Sequence, residues 1–358
     1  MRKLNIAIIF GGCSPEYSVS LESAYAVIRF LDREKYHPVM IGISEAGDWF
    51  RFQGDIEKIR ENRWLNDEDC VPAVFSPNRS RHELLLLKKE GMEAVGIDAA
   101  FPVLHGKNGE DGTVQGVIEL AGIPLAGCGV LASALCMDKD RAHKLVGLAG
   151  VDVPKAIVVG EGRKDKEIQA FAEDTGFPLF VKPVRAGSSY GVTKVQQADE
   201  LLEAVDLAFQ FDDQVIIEEN IDGFEVGCAV LGDDLLITGE VDEIELSGGF
   251  FDFTEKYTLK TSEIHLPARI RPEKAHEIKE AAKVIYKALG CSGFARVDMF
   301  LTPEGRIVFN EVNTIPGFTE HSRYPGMMKA AGIPIDEVLT RIIERTIERS
   351  GGGSGAEL

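Results

Sequence analysis

The chain opens on an apolar run, residues 4–10 (LNIAIIF), that ends at Gly11-Gly12, the signature of a strand buried on both faces. Residues 19–31 then space their apolar side chains as a helix does. Residues 37–44 and 98–104 read as further strands, the second followed by a helical stretch over 113–121. Strands alternating with helices predict a doubly wound, parallel α/β unit. Residues 53–89 are charged and show no clear period, so a peripheral, irregular excursion is expected there. A helix opening at Asp138-Lys139-Asp140-Arg141 should end at Gly150, with Pro154 blocking continuation.

Beyond Pro154 the pattern changes. Residues 177–182 and 191–195 read as strands joined by a glycine-serine loop. A helix with Leu201, Val205 and Ala208 on one face follows, then a strand over 214–219. From Gly223 onward the strands lengthen and look antiparallel, with a polar, Gly-rich loop over 247–262. Ala275, Ile278, Ala282, Ile285 and Leu289 stripe one face of a helix over 272–289, Pro272 suits its first turn and Gly290 its end. Two strands (293–301 and 306–312) and a last helix over 334–348 complete the pattern. No internal repeat is visible. The chain therefore divides into an N-terminal α/β domain (1–136), a small central α/β domain (137–221), a mixed α+β C-terminal domain (222–350) and a linker-like tail (351–358).

Charge narrows the choice of partners. With 39 Lys+Arg against 58 Asp+Glu the net charge is −19, which repels phosphate backbones and anionic lipid at long range. A nucleic-acid or membrane partner is not expected, whereas a small anion in a locally basic pocket is compatible. No apolar run approaches the roughly 18 residues of a membrane span, and the apolar stretch after Met1-Arg2-Lys3 is too short for a signal segment. Cys13, Cys70, Cys128, Cys136, Cys228 and Cys291 show no CxxC spacing. Reduced thiols in a cytoplasmic protein, without disulfides or zinc, are the economical reading.

Five constellations carry candidate chemistry. In Lys182-Pro183-Val184-Arg185-Ala186-Gly187-Ser188-Ser189-Tyr190-Gly191, glycines admit backbone N–H groups to a phosphate and Lys182 adds a point charge. A plain flexible hairpin is the alternative, and the loop is not of the GxxxxGK[ST] type. Arg296-Val297-Asp298 and Glu311-Val312-Asn313 lie on adjacent predicted strands, where residues two apart share a face. A tight turn pairing 302 with 305 sets Arg296 opposite Glu311; a bulge at Gly305 shifts the register by one. Two carboxylates and an amide oxygen suit Mg²⁺ bridging nucleotide phosphates; a salt-bridged strand face is the alternative. Glu218, Glu219, Asn220 and Ile221, with Glu225, close a strand between domains, where backbone groups can meet an adenine edge and carboxylates a ribose. His105-Gly106-Lys107-Asn108-Gly109-Glu110-Asp111-Gly112 and Gly11-Gly12-Cys13-Ser14-Pro15-Glu16 both follow strand ends, the ligand side of a doubly wound sheet, and Glu16 there can bind an ammonium. Gly127-Cys128-Gly129-Val130-Leu131-Ala132 matches a dinucleotide-binding turn only superficially, because no clean βαβ unit with a terminal acid surrounds it.

These motifs together, with the Asn-Thr-Ile-Pro-Gly run at 313–317, resemble the D-alanine–D-alanine ligases of the ATP-grasp superfamily, in order and spacing, over residues 11–324. The resemblance implies a three-domain ATP-grasp architecture, ATP as co-substrate and Mg²⁺ or Mn²⁺, two ions per site. Lys139, Lys182, Ser188 and Ser189 resemble the phosphate contacts, and Glu218, Glu219, Ile221, Glu225, Phe250 and Asn310 those of the nucleoside. Asp298, Glu311 and Asn313 match the metal ligands and Arg296 the arginine near the reacting phosphoryl. Glu16 matches the carboxylate that binds the first D-alanine's ammonium, with Ser188 and Tyr257 as its partners and Lys256 reaching the phosphates. His105, Gly317, Ser322 and Arg323 match substrate positions. The resemblance also implies a homodimer and a closing loop hinged near Gly248-Gly249. Arg323, where many members carry an apolar residue, together with Asp242 and Phe251, resembles the glycopeptide-resistance branch, which adds D-serine or D-lactate. Tyr257 after Lys256 resembles members that use an amine, so D-alanine and D-serine both stand as the second substrate. A non-catalytic nucleotide sensor and a nicotinamide oxidoreductase are the alternatives from other classes.

Overall fold

The computed structural model describes the chain except residues 1, 67, 188–189, 247–261 and 352–358. The first unit runs β1 (Leu4–Gly11), α1 (Tyr17–Phe30), β2 (Tyr36–Ile43), β3 (Trp49–Phe52), α2 (Glu57–Arg60), β4 (Cys70–Phe75), β5 (Glu83–Lys88), β6 (Gly91–Gly96), β7 (Ala99–Pro102), α3 (Thr113–Leu120) and α4 (Val130–Met137). Its sheet has the order β6-β5-β4-β3-β2-β1-β7. Only β2, β1 and β7 are parallel, and they are the run of buried apolar strands that the sequence marks. The excursion expected to be irregular over residues 53–89 is instead an antiparallel meander that extends the sheet from β3 to β6. Its outer strand is exposed on both faces, so it carries no apolar alternation to betray it.

The second unit holds α5 (Lys139–Leu148), β8 (Ala156–Val159), α6 (Asp165–Thr175), β9 (Leu179–Pro183), β10 (Thr193–Val195), α7 (Leu201–Ala208) and β11 (Val215–Glu219), with the sheet order β10-β9-β11-β8, all antiparallel. Asp138 caps α5 by accepting from the Arg141 N–H at 3.0 Å. The third holds β12 (Phe224–Leu231), β13 (Ile237–Thr238), β14 (Asp242–Leu246), β15 (Ser262–His265), α8 (Pro272–Ala288), β16 (Phe294–Leu301), β17 (Ile307–Asn313), α9 (Arg323–Ala330) and α10 (Ile335–Gly351). Its sheet runs β15-β14-β12-β16-β17, with β13 on β12.

A single hydrophobic cluster joins the first and third units. Phe101 of β7 stacks on Phe294 of β16 (centroids 5.6 Å), and Phe318 meets both edge-on at 5.8 and 5.4 Å. All three rings are fully buried, and such pairs add about 0.5–1.5 kcal/mol each beyond their buried area. The segment after β17 is thus pinned to the N-terminal sheet. All six cysteines are free thiols.

Candidate active site

The turn between β16 and β17 decides which side chains meet. Gly305, at φ +85°, donates its N–H to the Thr302 carbonyl at 2.9 Å, and Thr302 donates to Arg306 at 3.0 Å. That is the bulged turn, which shifts the register by one. Further along, Asn310 is an extra residue on β17, and the register slips again between Met299↔Phe309 and Asp298↔Glu311. Two slips restore the original parity. Asp298 therefore lies directly opposite Glu311, and Arg296 opposite Asn313, with all four on one face.

Asp298 is the centre of this group. Arg296 holds both of its oxygens through Nε (2.9 and 3.0 Å), and Asn313 donates Nδ2 to Oδ2 at 2.9 Å. Arg323 approaches within 3.3 Å. Burial pushes the Asp298 carboxyl up, but the two guanidinium groups more than offset it and hold it below the usual range. Arg323 also binds Asp242 through Nε and a terminal nitrogen (2.7 and 2.9 Å) and Glu225 at 2.8 Å. Asp242 is fully buried. Gly227 makes this possible: it donates its N–H to Asp242 at 2.9 Å, and a Cβ there would stand 2.3 Å from the guanidinium.

Two cavities open side by side, of about 390 and 560 Å³, and share Lys139, Ala186, Gly187, Glu225 and Glu311. The larger lies between the second and third sheets and is lined by Lys182, Glu218, Glu219, Ile221 and Asn310. Lys139, at the start of α5, donates Nζ to the Ala186 carbonyl at 2.7 Å, so the helix start holds the glycine-serine loop. Lys182 donates to Glu218 at 2.6 Å, with His143 at 3.8 Å on the other oxygen. Burial raises the Glu218 carboxyl, and Lys182 and His143 outweigh it and leave it lowered. Glu219 accepts from the Lys155 N–H at 2.8 Å, which ties the strand end to the segment before β8.

The smaller cavity is lined by Glu16, His105, Glu110, Arg296, Asp298, Asn313, Gly317, Ser322 and Arg323 among others. A Cβ on Gly106 would stand 2.5 Å from Glu16 Oε2, and one on Gly187 at 3.4 Å, so two glycine-rich loops close around that carboxylate. Ser322 accepts from the Thr319 N–H at 3.0 Å, and a Cβ on Gly317 would lie 2.7 Å from its Oγ. Glu110, in the glycine-rich motif after β7, sits half-buried in this wall. Burial, then the neighbouring Glu16, push its carboxyl up to about 8 against two backbone N–H bonds. Ser188, Ser189, Phe250, Phe251, Lys256, Tyr257 and the Gly248-Gly249 hinge lie outside the described residues.

Residues 5–128 match the family model described as "D-ala D-ala ligase N-terminus", and residues 145–344 that described as "D-ala D-ala ligase C-terminus". The chain belongs to the D-alanine–D-alanine ligase family. Its fold superposes on a solved D-Ala:D-Ser ligase, VanG from Enterococcus faecalis, with a TM-score of 0.90 at 56% identity, covering 96% of this chain and 100% of that one. The vancomycin B-type resistance protein VanB of Enterococcus faecalis is 47% identical over 98% of this chain and 100% of its own. A D-alanine–D-alanine ligase of Caldicellulosiruptor bescii is 41% identical over 98% and 97%. The three-domain ATP-grasp architecture and the ligase activity expected from the sequence therefore hold, with ATP, a divalent metal and D-amino acids as the family's reagents. Among the described residues no helix is long and apolar enough to cross a membrane.

Proposed function

We propose that this ligase joins D-alanine to D-serine, with D-alanine as the first substrate and as a slower alternative second one. The observation that carries the reading is the buried Arg323–Asp242–Glu225 group beside Ser322, supported by the likeness to the D-Ala:D-Ser ligase. The guanidinium does not stand free to take a substrate carboxylate, because Asp242, Glu225 and Asp298 already hold it. Of these, Glu225 and Asp298 line the cavity beside Ser322, where their remaining lone pairs suit a hydroxyl directly or through water. A site built to pair a hydroxyl disfavours the analogue that lacks it, because its polar groups are left unpaired.

A carboxylate does not acylate an amine until it is activated. One oxygen of the first D-alanine takes the γ-phosphoryl of ATP, releasing ADP, and the amine of the second substrate then attacks the acyl phosphate. The C–O bond to phosphate breaks, and the amide forms as the attacking nitrogen gives up a proton that the departing phosphate takes. Glu16 holds the first ammonium, while Lys139 and Lys182 pair with ATP phosphates and orient them. Arg296 stabilises the transferring group through its fixed N–H fork. The 218–225 segment receives the nucleoside. Asp298, Glu311 and the amide oxygen of Asn313, hard donors on one face, fit Mg²⁺ or Mn²⁺. When bound, such ions offset phosphate charge. We place domain boundaries near residues 136 and 221, and propose a cytoplasmic homodimer.

Equal D-alanine and D-serine, with ATP and Mg²⁺, provide the test. Mass spectrometry of the products should show D-alanyl-D-serine in excess. Exclusive D-alanyl-D-alanine refutes the serine reading, and D-alanyl-D-lactate from added D-lactate at neutral pH refutes the amine specificity attached to Tyr257.

A further inference from the structure

The glycine-rich loop after β7 and the segment after β17 meet at one residue, and nothing in the reaction as derived uses that meeting. The Ile315 N–H donates to Glu110 Oε1 at 2.9 Å, and the Ile315 carbonyl is 2.9 Å from His105 Nδ1. A carbonyl only accepts, so Nδ1 carries the proton and Nε2 accepts from the Ser23 hydroxyl, 3.4 Å away. Ser23 Oγ in turn accepts from the Phe318 N–H at 3.3 Å. The other Glu110 oxygen accepts from the Gly106 N–H at 3.0 Å. One carboxylate thus bridges the loop that walls in Glu16 and the segment that leads to Gly317.

Stability alone does not account for this arrangement. A half-buried carboxylate beside a second carboxylate is costly, and a packed apolar residue often serves a fold as well. The burial that raises Glu110 towards about 8 marks that cost. The two substrates dock on different units: the first ammonium at Glu16, the second substrate along 317–322. Attack requires them to be in register, and a misplacement of about 1 Å can cost on the order of 100-fold in rate.

We propose that Glu110 is a positioning residue for the second-substrate site: by clamping the Ile315 peptide to the Gly106 loop, it sets the 317–322 segment against Glu16. The proposal rests on the ligase reading. Glu110→Gln keeps the size but leaves one acceptor oxygen for two N–H groups and turns an NH₂ towards the other. The KM for the second amino acid should rise about tenfold, the scale of one lost hydrogen bond, while the KM for ATP stays within about twofold. Amide hydrogen exchange over 315–318 should quicken by a similar factor. An unchanged second-substrate KM with unchanged exchange overturns the proposal, as does a fall in kcat alone. Should Glu110→Gln fail to fold, His105→Ala and His105→Asn replace it. The alanine removes the donor to Ile315 and should loosen 315–318 and raise the same KM; asparagine retains a donor and should do so less. Equal, wild-type behaviour of both overturns the clamp. Exchange needs no turnover, so a wild-type protein that forms no dipeptide refutes the ligase reading, and the clamp is then judged on exchange alone.

Discussion

Asp298 takes two guanidinium groups and an amide on one buried carboxylate, whereas Glu311 sits half-buried on the cleft face opposite it. The two should respond differently to neutralisation. Asp298→Asn leaves Arg296 and Arg323 facing a neutral amide; breaking a buried pair costs about 3–5 kcal/mol, so thermal unfolding should shift down by many degrees and turnover should vanish. Glu311→Gln should leave the melting temperature within a few degrees yet lower kcat on the order of 100-fold or more, since a metal ligand supplies several kcal/mol of charge stabilisation. A Glu311→Gln enzyme with near-normal kcat at saturating Mg²⁺ removes that residue from the metal site. Residue identity was legible here because carboxylates and arginine interrupt otherwise apolar strands. Pairing was not: one extra residue in the turn and another at Asn310 each shift the register, and no sequence pattern counts bulges. The role of Glu110 was not legible for a related reason, since one of its two backbone partners, the Ile315 N–H, lies 205 residues away in sequence.

At the scale of elements, β12, β14 and α9 are locked by one arginine. Gly227 on β12 leaves the space that the Arg323 guanidinium fills between Asp242 and Glu225. Gly227→Ala sets a methyl 2.3 Å from that guanidinium, so the arginine must move and leave Asp242, fully buried, without its cation. The variant should lose D-serine selectivity along with stability, read as the product ratio in the competition and a lower melting temperature; an unaltered ratio separates Gly227 from specificity. Elements with long apolar runs or a clean stripe, such as β1, β16 and α8, were legible within a residue or two. The β3–β6 meander was not, because short, half-exposed strands lack alternation. Helix α9 was missed because Pro325 and Gly326 break its pattern near the start.

Across the whole molecule, a chain of net charge −19 brings Lys139, Lys182, Arg296 and Arg323 to the walls of one cleft. Set among the cleft's carboxylates, these four cations are the groups that can pair with a polyanion which the surface at large repels. The Phe101–Phe294–Phe318 cluster fixes the N-terminal sheet to the C-terminal one, and Glu16 and Gly317 line the same cavity between them. The central claim is that this cleft activates a D-alanine carboxylate by phosphorylation before the second amine attacks. D-alanine labelled with ¹⁸O in its carboxylate, incubated with ATP, Mg²⁺ and D-serine, tests it directly by mass spectrometry of the released phosphate. An acyl phosphate predicts one ¹⁸O transferred to phosphate for each dipeptide formed; dipeptide accompanied by unlabelled phosphate contradicts the account.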